Sequence, residues 1–529
     1  MTRQKSEDHI VPEGVRKAAA GRRRTAPYRG KVVPVKEAAQ QLKLFFATAE
    51  NPPKGGAEAV RGGDRSSREP GKVPKAKDTR PGAGSATMEE VVERLEMAFE
   101  KVAANDGAAG PDRQSVAEVR EQLSVLLPKV ARSLLAGTYL PGAIRRVEIP
   151  KSGGGKRGLG IPNVIDRVVQ EAVRAVLEPL HEPTFHPSSH GFRPGRGCQT
   201  AIAEARSYVQ EGHHWVVDMD LEKFFDRVHH QRLMARLATR VGDQRLLALL
   251  GRMLKAQVVM PDGVKVSNEE GVPQGGPLSP LLSNIVLSEL DNELSRRGLR
   301  FVRYADDCNI YVRSERAGQR VMASVSDFIA RRLRLKVNAA KSAVARPETR
   351  HFLGYRLAPQ PEGPVEVLLS KRSETRLAEA VRERTPRSRG RSLEATISGV
   401  NAYLRGWFGH FRVCTSGVER VIRNTDAHIR RRLRAIVLKH WKTKLTTVRR
   451  LILLGVKRKT AWRRVYDGRK STWALSHDPA VNRGLPNAYF AVRNLVSLSE
   501  KFRETWEPVV APRTGEPQQL ALFGGPKRS

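Results

Sequence analysis

Apolar positions first recur at helical spacing in MEEVVERLEMAFEKV, where Val91, Leu95, Met97 and Phe99 fall near one face and acids occupy the first turn. A Gly/Pro/Asp turn near Ala108–Asp112 follows, and the pattern then predicts a second helix over about Ser115–Ala136. VEIPKSGGGKRGLGIP, Val147–Pro162, reads as two extended pieces flanking a Gly-rich turn that lets the backbone fold back sharply. Helical spacing returns over Asp166–His181, with Val168, Val169, Ala172, Val173, Val176 and Leu177 on the apolar side. SSHGFRPGRGCQTAI, Ser188–Ile202, is a basic turn entering another helix. The run Trp215, Val216, Val217, Met219, Leu221 predicts a buried strand leading into the acidic, aromatic stretch Glu222–Asp226.

A helix capped by Asp243 carries Leu246, Leu247, Leu249, Leu250 and Leu254, and a strand pair is expected around Ala256–Val266. Gly271–Gly298 opens as a Gly/Pro loop and becomes a helix with Leu278, Leu282, Ile285, Val286, Leu290 and Leu294 at helical spacing and Gly298 as its stop. FVRYADDCNIYV, Phe301–Val312, predicts two short strands joined by a tight turn that holds Asp306 and Asp307 at its tip. A helix over about Ala317–Leu333 comes next, then LKVNAAKSAVA and the strand-like HFLGYRL. Beyond residue 370 the pattern is helical, with one stripe of Ile397, Val400, Leu404, Trp407 and Phe411 and another of Val418, Val421, Ile422, Ile429, Leu433 and Ile436. The tail from about Glu500 is expected to be disordered.

Composition changes this picture at both ends. The first 80 residues hold 19 Lys+Arg against 9 Asp+Glu and read as a basic arm that cannot bury enough surface to fold alone. Residues 371–480 hold 28 Lys+Arg against 8 Asp+Glu, about half of the whole chain's net charge of +39. Arg430, Arg431, Arg432 and Arg434 crowd one helix, a density that points to nucleic-acid contact. Trp407, Trp441, Trp462 and Trp473 read as core positions first and base-stacking platforms second. No apolar run approaches 18 residues, so no membrane partner is expected. Three distant cysteines, Cys198, Cys308 and Cys414, build neither a disulfide framework nor a zinc pair, even with His186 and His190 nearby.

The candidate chemistry lies in two acidic places about 85 residues apart. Adjacent carboxylates at Asp306 and Asp307 repel each other unless a cation sits between them, and a hard divalent ion such as Mg²⁺ takes oxygen ligands of this kind. Asp218 and Asp220 share one face of a strand, where a buried acid needs a metal or a basic partner. Acids from two strands can hold two Mg²⁺ ions, which is the requirement of nucleotidyl transfer. The Gly-rich turn adds Lys151, Lys156 and Arg157, cations that suit a triphosphate but that by themselves read equally as a solvated basic hairpin.

In this order, IPKSGGGKRGLGIP, DLEKFFD, QGGPLSPLLSN, YADD, LKVNAAKS and FLGY resemble the motif set of a group II intron reverse transcriptase, and LRGWFGHF with LPNAY resembles its maturase module. The resemblance covers about residues 88–495. It implies an α+β right-hand polymerase: a helical N-terminal extension (86–145), fingers and an antiparallel-sheet palm (146–370), and a helical thumb and maturase domain (371–500), to which composition adds the disordered basic arm (1–85) and the tail (501–529). Residue by residue, it implies that Asp220 and Asp306 are the catalytic, metal-binding acids, with Asp307 beside them in a lesser role. Lys151 and Arg157 would grip the triphosphate, Phe225 would sense the sugar 2′ position, Gln274 would stand beside the incoming nucleotide and Lys341 near the leaving group. Lys156 is a weaker triphosphate candidate, and Asp218 and Asp226 would play supporting parts.

The same resemblance implies an RNA-directed DNA polymerase that uses two Mg²⁺ ions and dNTPs, and that assists intron splicing and mobility. Its partners would be the intron RNA, an RNA template with a DNA primer, and target DNA, in a bacterial-type cytoplasmic ribonucleoprotein. Without paired cysteines, no HNH endonuclease is expected. Two other readings are a splicing cofactor with a dispensable polymerase and a related enzyme recruited to defence or repair.

Overall fold

The computed structural model describes residues 86–510 apart from 151–154, 388–389, 469–470 and the side chains of 505–510. The expected basic arm, Lys151 and the end of the tail lie outside the described residues. Among the described residues four short helices come first, Met88–Glu93, Leu95–Ala104, Val116–Glu121 and Leu123–Leu135. Each of the two helices expected here is therefore broken once, at Arg94 and at Gln122, where the residue that caps one helix starts the next. Met97, expected on the apolar face, is instead 62% exposed, whereas Val91, Leu95 and Phe99 are buried. Two residues past Leu95 is a rotation of about 200°, which carries Met97 to the opposite side.

Three sheets follow. Strands β1 (Ile144–Pro150) and β2 (Lys156–Ile161) form an antiparallel hairpin, and the two-residue strands β4 (Val258–Val259) and β5 (Lys265–Val266) extend it through β1. The central sheet has the order β6-β7-β3-β8, all antiparallel, from Arg300–Tyr304 (β6), Asp307–Val312 (β7), Trp215–Met219 (β3) and Ala343–Ala345 (β8). A small pair, β9 (Tyr355–Ala358) and β10 (Glu366–Leu369), lies beyond it.

The central sheet is covered on both faces, which is why its strands read as nearly continuous apolar runs. Val217, Met219, Phe301, Ile310 and Val312 enter a core shared with the N-terminal helices and the helices Val164–His181, Gln244–Leu254 and Ser279–Arg296. Val216, Val302, Tyr304 and Tyr311 alternate with them and enter a second core with the helix Cys198–Gln210 and the C-terminal helices. That second core runs without interruption across residue 370 and on to Phe502.

In the C-terminal part, the helices Leu393–Phe411 and Val418–His440 bury most of the two apolar stripes. Arg434 departs from the expected basic face: it is buried and donates to the Leu485 carbonyl at 2.9 Å. The expectation that order ends near Glu500 is also corrected. A helix spans Leu498–Val510, its first turn receiving the Asp426 carboxylate on the Leu498 and Ser499 amides, and Phe502 packs edge-on against Phe408. No helix among the described residues is long and apolar enough to cross a membrane.

Candidate active site

The β6–β7 register pairs Tyr304 with Asp307, leaving Ala305 and Asp306 as a two-residue connection. Only the first of the two has a positive φ (Ala305, 57°), the φ pattern of a type II′ hairpin turn, which keeps the strands' right-handed twist. For a residue other than glycine that backbone costs on the order of 1 kcal/mol, so the surroundings must hold it. The β3–β7 ladder ends at Met219 opposite Cys308, and Asp220 therefore leaves the end of β3 alongside Asp307.

Asp220 is fixed by its backbone as well as its side chain. Its N–H donates to Ser342 Oγ (3.0 Å), its carbonyl accepts from the Asn338 N–H (2.8 Å), and its Oδ2 takes the Lys341 ammonium at 3.2 Å. Asp218 is directed elsewhere: it accepts from Arg350 Nε at 2.8 Å, while Arg350 also donates to the Lys341 carbonyl. The two acids that strand periodicity places on one face thus have different cationic partners.

Crowding by surrounding protein raises the Asp306 carboxyl above the ordinary range, with repulsion from Asp220 adding to it and Arg157 and Lys341 opposing it. Asp307, whose side chain reaches solvent at the rim, is pushed up to about 7, first by desolvation and then by Asp306, Asp218 and Asp220. Among the described residues, no three His, Cys, Asp or Glu side chains converge closely enough to hold a metal ion as they stand. The donor set nonetheless suits one: three carboxylates at the end of one sheet repel each other, and a divalent cation relieves that repulsion. Asp220, Asp306 and Asp307 are the residues that would hold it.

The hairpin β1–β2 brings Arg157 within electrostatic reach of Asp306. Lys156 is committed to Glu148 at 2.6 Å on an exposed face. A loop at 271–275 ties the other nucleotide-site candidates together: the Val272 N–H donates to the Phe225 carbonyl, and the Gly160 N–H to the Gln274 carbonyl, both at 2.6 Å. Gly275 makes the second contact possible, because its φ is +123° and a Cβ there would stand 2.4 Å from the Gly160 oxygen. Phe225 is half-buried, edge-on to Phe224, whereas Asp226 is exposed and 3.8 Å from Arg146.

The fold therefore gathers Asp220, Asp306, Asp307, Lys341 and Arg157, and links Phe225 to Gln274 through one loop. It sends Lys156, Asp218 and Asp226 to other partners. Arg350, Asn338 and Ser342 were not singled out from the sequence, although the last two lie within LKVNAAKS. Their spacing carries no mark of the bonds they make to Asp218 and Asp220.

Residues 149–357 match the family described as reverse transcriptase (RNA-dependent DNA polymerase), and residues 375–452 match the group II intron, maturase-specific domain. The Escherichia coli protein YkfC is 41% identical over 194 residues, 36% of this chain and 51% of that one. The group II intron-encoded protein LtrA of Lactococcus lactis is 39% identical over 178 residues, 34% of this chain and 29% of that one. The chain thus spans about half the length of one curated relative and under a third of the other. The acidic hairpin falls inside the first family match, and the arginine-rich helix Val418–His440 falls inside the second. The chain thus joins a segment of the reverse transcriptase family to one of the group II intron maturase-specific domain family.

Proposed function

We propose that the protein is an RNA-directed DNA polymerase that copies a group II intron RNA and assists that intron's splicing and mobility as a maturase. The observation that carries this reading is the juxtaposition of the Ala305–Asp306 turn with Asp220, under the influence of Arg157 and Lys341. In the right-hand description the β1–β2 hairpin belongs to the fingers, the four-stranded sheet to the palm and the helices beyond residue 370 to the thumb and maturase domain.

Two Mg²⁺ ions on Asp220, Asp306 and Asp307 would activate a primer 3′-hydroxyl and neutralise departing pyrophosphate. The chain's own residues do the rest. Arg157, with Lys151, is a point of charge for the triphosphate of a dNTP. Lys341, 3.2 Å from Asp220, would neutralise that acid in the absence of nucleotide and meet charge that develops on the leaving group. Phe225 would wall the sugar side, and its carbonyl, bonded by the Val272 N–H, ties it to the loop that carries Gln274. The net +20 of residues 371–480 would hold the template–primer duplex and the intron RNA through phosphates. Target DNA would be engaged in the same ribonucleoprotein.

The test is primer extension on an RNA template with Mg²⁺ and dNTPs, run on the wild type and on Asp306→Ala. Wild-type incorporation, lost by about 10³-fold or more in the variant with RNA affinity retained, supports the reading. No incorporation by the wild type, or equal loss of RNA affinity in the variant, overturns it.

A further inference from the structure

Beneath the acidic turn lies a charged side chain that solvent does not reach. Arg303, on β6, is 0% exposed and has a hydrogen-bond acceptor for every donor of its guanidinium. Nε and Nη2 form a fork to Asp291 Oδ1 and Oδ2, each at 2.6 Å, and Asp291 is itself fully buried in the helix Ser279–Arg296. Nη2 also donates to Ser189 Oγ at 2.7 Å, and Nη1 to Asn284 Oδ1 at 3.0 Å. The remaining bond, from Nη1 at 2.9 Å, goes to the carbonyl of Ala305, the residue of the turn with positive φ.

The backbone of Arg303 is gripped too. Its N–H donates to the Ser188 carbonyl and its carbonyl accepts from the His190 N–H, both at 2.9 Å. His190 is anchored in turn between Thr200 Oγ1 (2.8 Å) and Glu204 (2.6 Å), so both of its ring nitrogens are engaged. One residue on, Gly191 presses against the turn: a Cβ there would stand 2.4 Å from the Ala305 nitrogen. Asn284 Nδ2 holds the Gly191 carbonyl at 2.8 Å, closing the network.

An ion pair so fully withdrawn from water recovers little beyond its own desolvation cost, and an apolar pair of like volume would fill the space as well. An apolar pair would not supply a directed donor to the Ala305 carbonyl. We propose that Arg303, held by Asp291 and backed by Gly191, is a positioning residue for DNA synthesis: it sets the Ala305–Asp306 turn so that Asp306 faces Asp220. This inference rests on the polymerase reading above.

The experiment measures single-nucleotide incorporation by the full chain on an RNA template, together with dNTP KM, RNA Kd and thermal unfolding. The paired variant Arg303→Met/Asp291→Leu removes both charges and leaves none buried alone. Gly191→Ala pushes on the turn without touching the ion pair. Arg303→Lys keeps the charge but not the fork. In each, kcat should fall by about 10²-fold, as for a displacement of about 1 Å at a reacting group, with dNTP KM and RNA Kd within about twofold of wild type. Wild-type kcat in the paired variant or in Gly191→Ala overturns the proposal. Parallel loss of rate, RNA affinity and folding also overturns it, because the network then serves the fold and not the turn. A wild type that incorporates nothing fails the polymerase reading itself, which separates the two outcomes.

Discussion

The Lys341 ammonium stands 3.2 Å from the Asp220 carboxylate across 121 residues of chain. With the lysine side chain 62% exposed, solvent screens the pair and its contribution to stability is within about 1 kcal/mol. Lys341→Met should therefore leave the melting temperature nearly unchanged while lowering kcat for primer extension by about 10- to 100-fold. A normal rate in that variant would show that the lysine serves only to neutralise Asp220.

His181 makes stability depend on pH. Burial first, and then Arg240, lowers its pKa to about 4, and among the described residues its Nε2 has no hydrogen-bond partner, while its ring stacks near Phe185. A base with a depressed pKa in the fold is neutral there and charged in the unfolded chain at mildly acid pH. Its stabilising share is present above about 6.5 and is lost as pH falls from there toward 4. At about 1.4 kcal/mol for each pKa unit the loss is on the order of 3 kcal/mol. Urea denaturation between pH 7 and pH 4.5 should show this slope in the wild type and a flatter one in His181→Phe.

Gly275→Ala should be severe. The added carbon meets a backbone oxygen at 2.4 Å in a conformation of φ +123°, so the Gly160–Gln274 contact must open. Loss of about 2–4 kcal/mol of stability, or an increase of at least tenfold in dNTP KM where the fold persists, is expected from melting and steady-state kinetics. Gly263, whose Cβ would meet nothing within 4 Å, is the control position for backbone strain alone.

The Trp473 ring carries Arg387 at 5.0 Å and Arg431 at 4.1 Å. Such stacking orients guanidinium groups that repel each other, as a phosphate-binding face requires. Arg431→Gln should weaken RNA binding to a similar extent for all sequences and reduce the slope of log K against log salt by about 0.7–0.9. Filter binding over a salt series measures both.

Much of the site was legible in the sequence because its chemistry is local. Two adjacent acids between apolar strands mark a hairpin tip, and Gly-Gly before an amphipathic helix marks a close approach. Periodicity also gave most core residues of the helices Val164–His181, Ser279–Arg296 and Leu393–Phe411. It failed where a face is defined by what covers it. Arg434 is buried rather than on the basic face, and Phe502 is buried because Phe408 lies over it.

By itself the sequence determined which segments are helices or strands, where acid and basic charge concentrates, and the order of the motifs, since these depend on neighbours within a turn or two of the chain. Only the tertiary structure decided the partners. Asp218 went to Arg350 and Asp220 to Lys341, and Asp291, Asn284 and Ser189 converged on Arg303 beneath the turn. A buried charge must find its counter-charge wherever packing brings one, and nothing in the spacing of residues 114 apart records that Ser189 and Arg303 will meet.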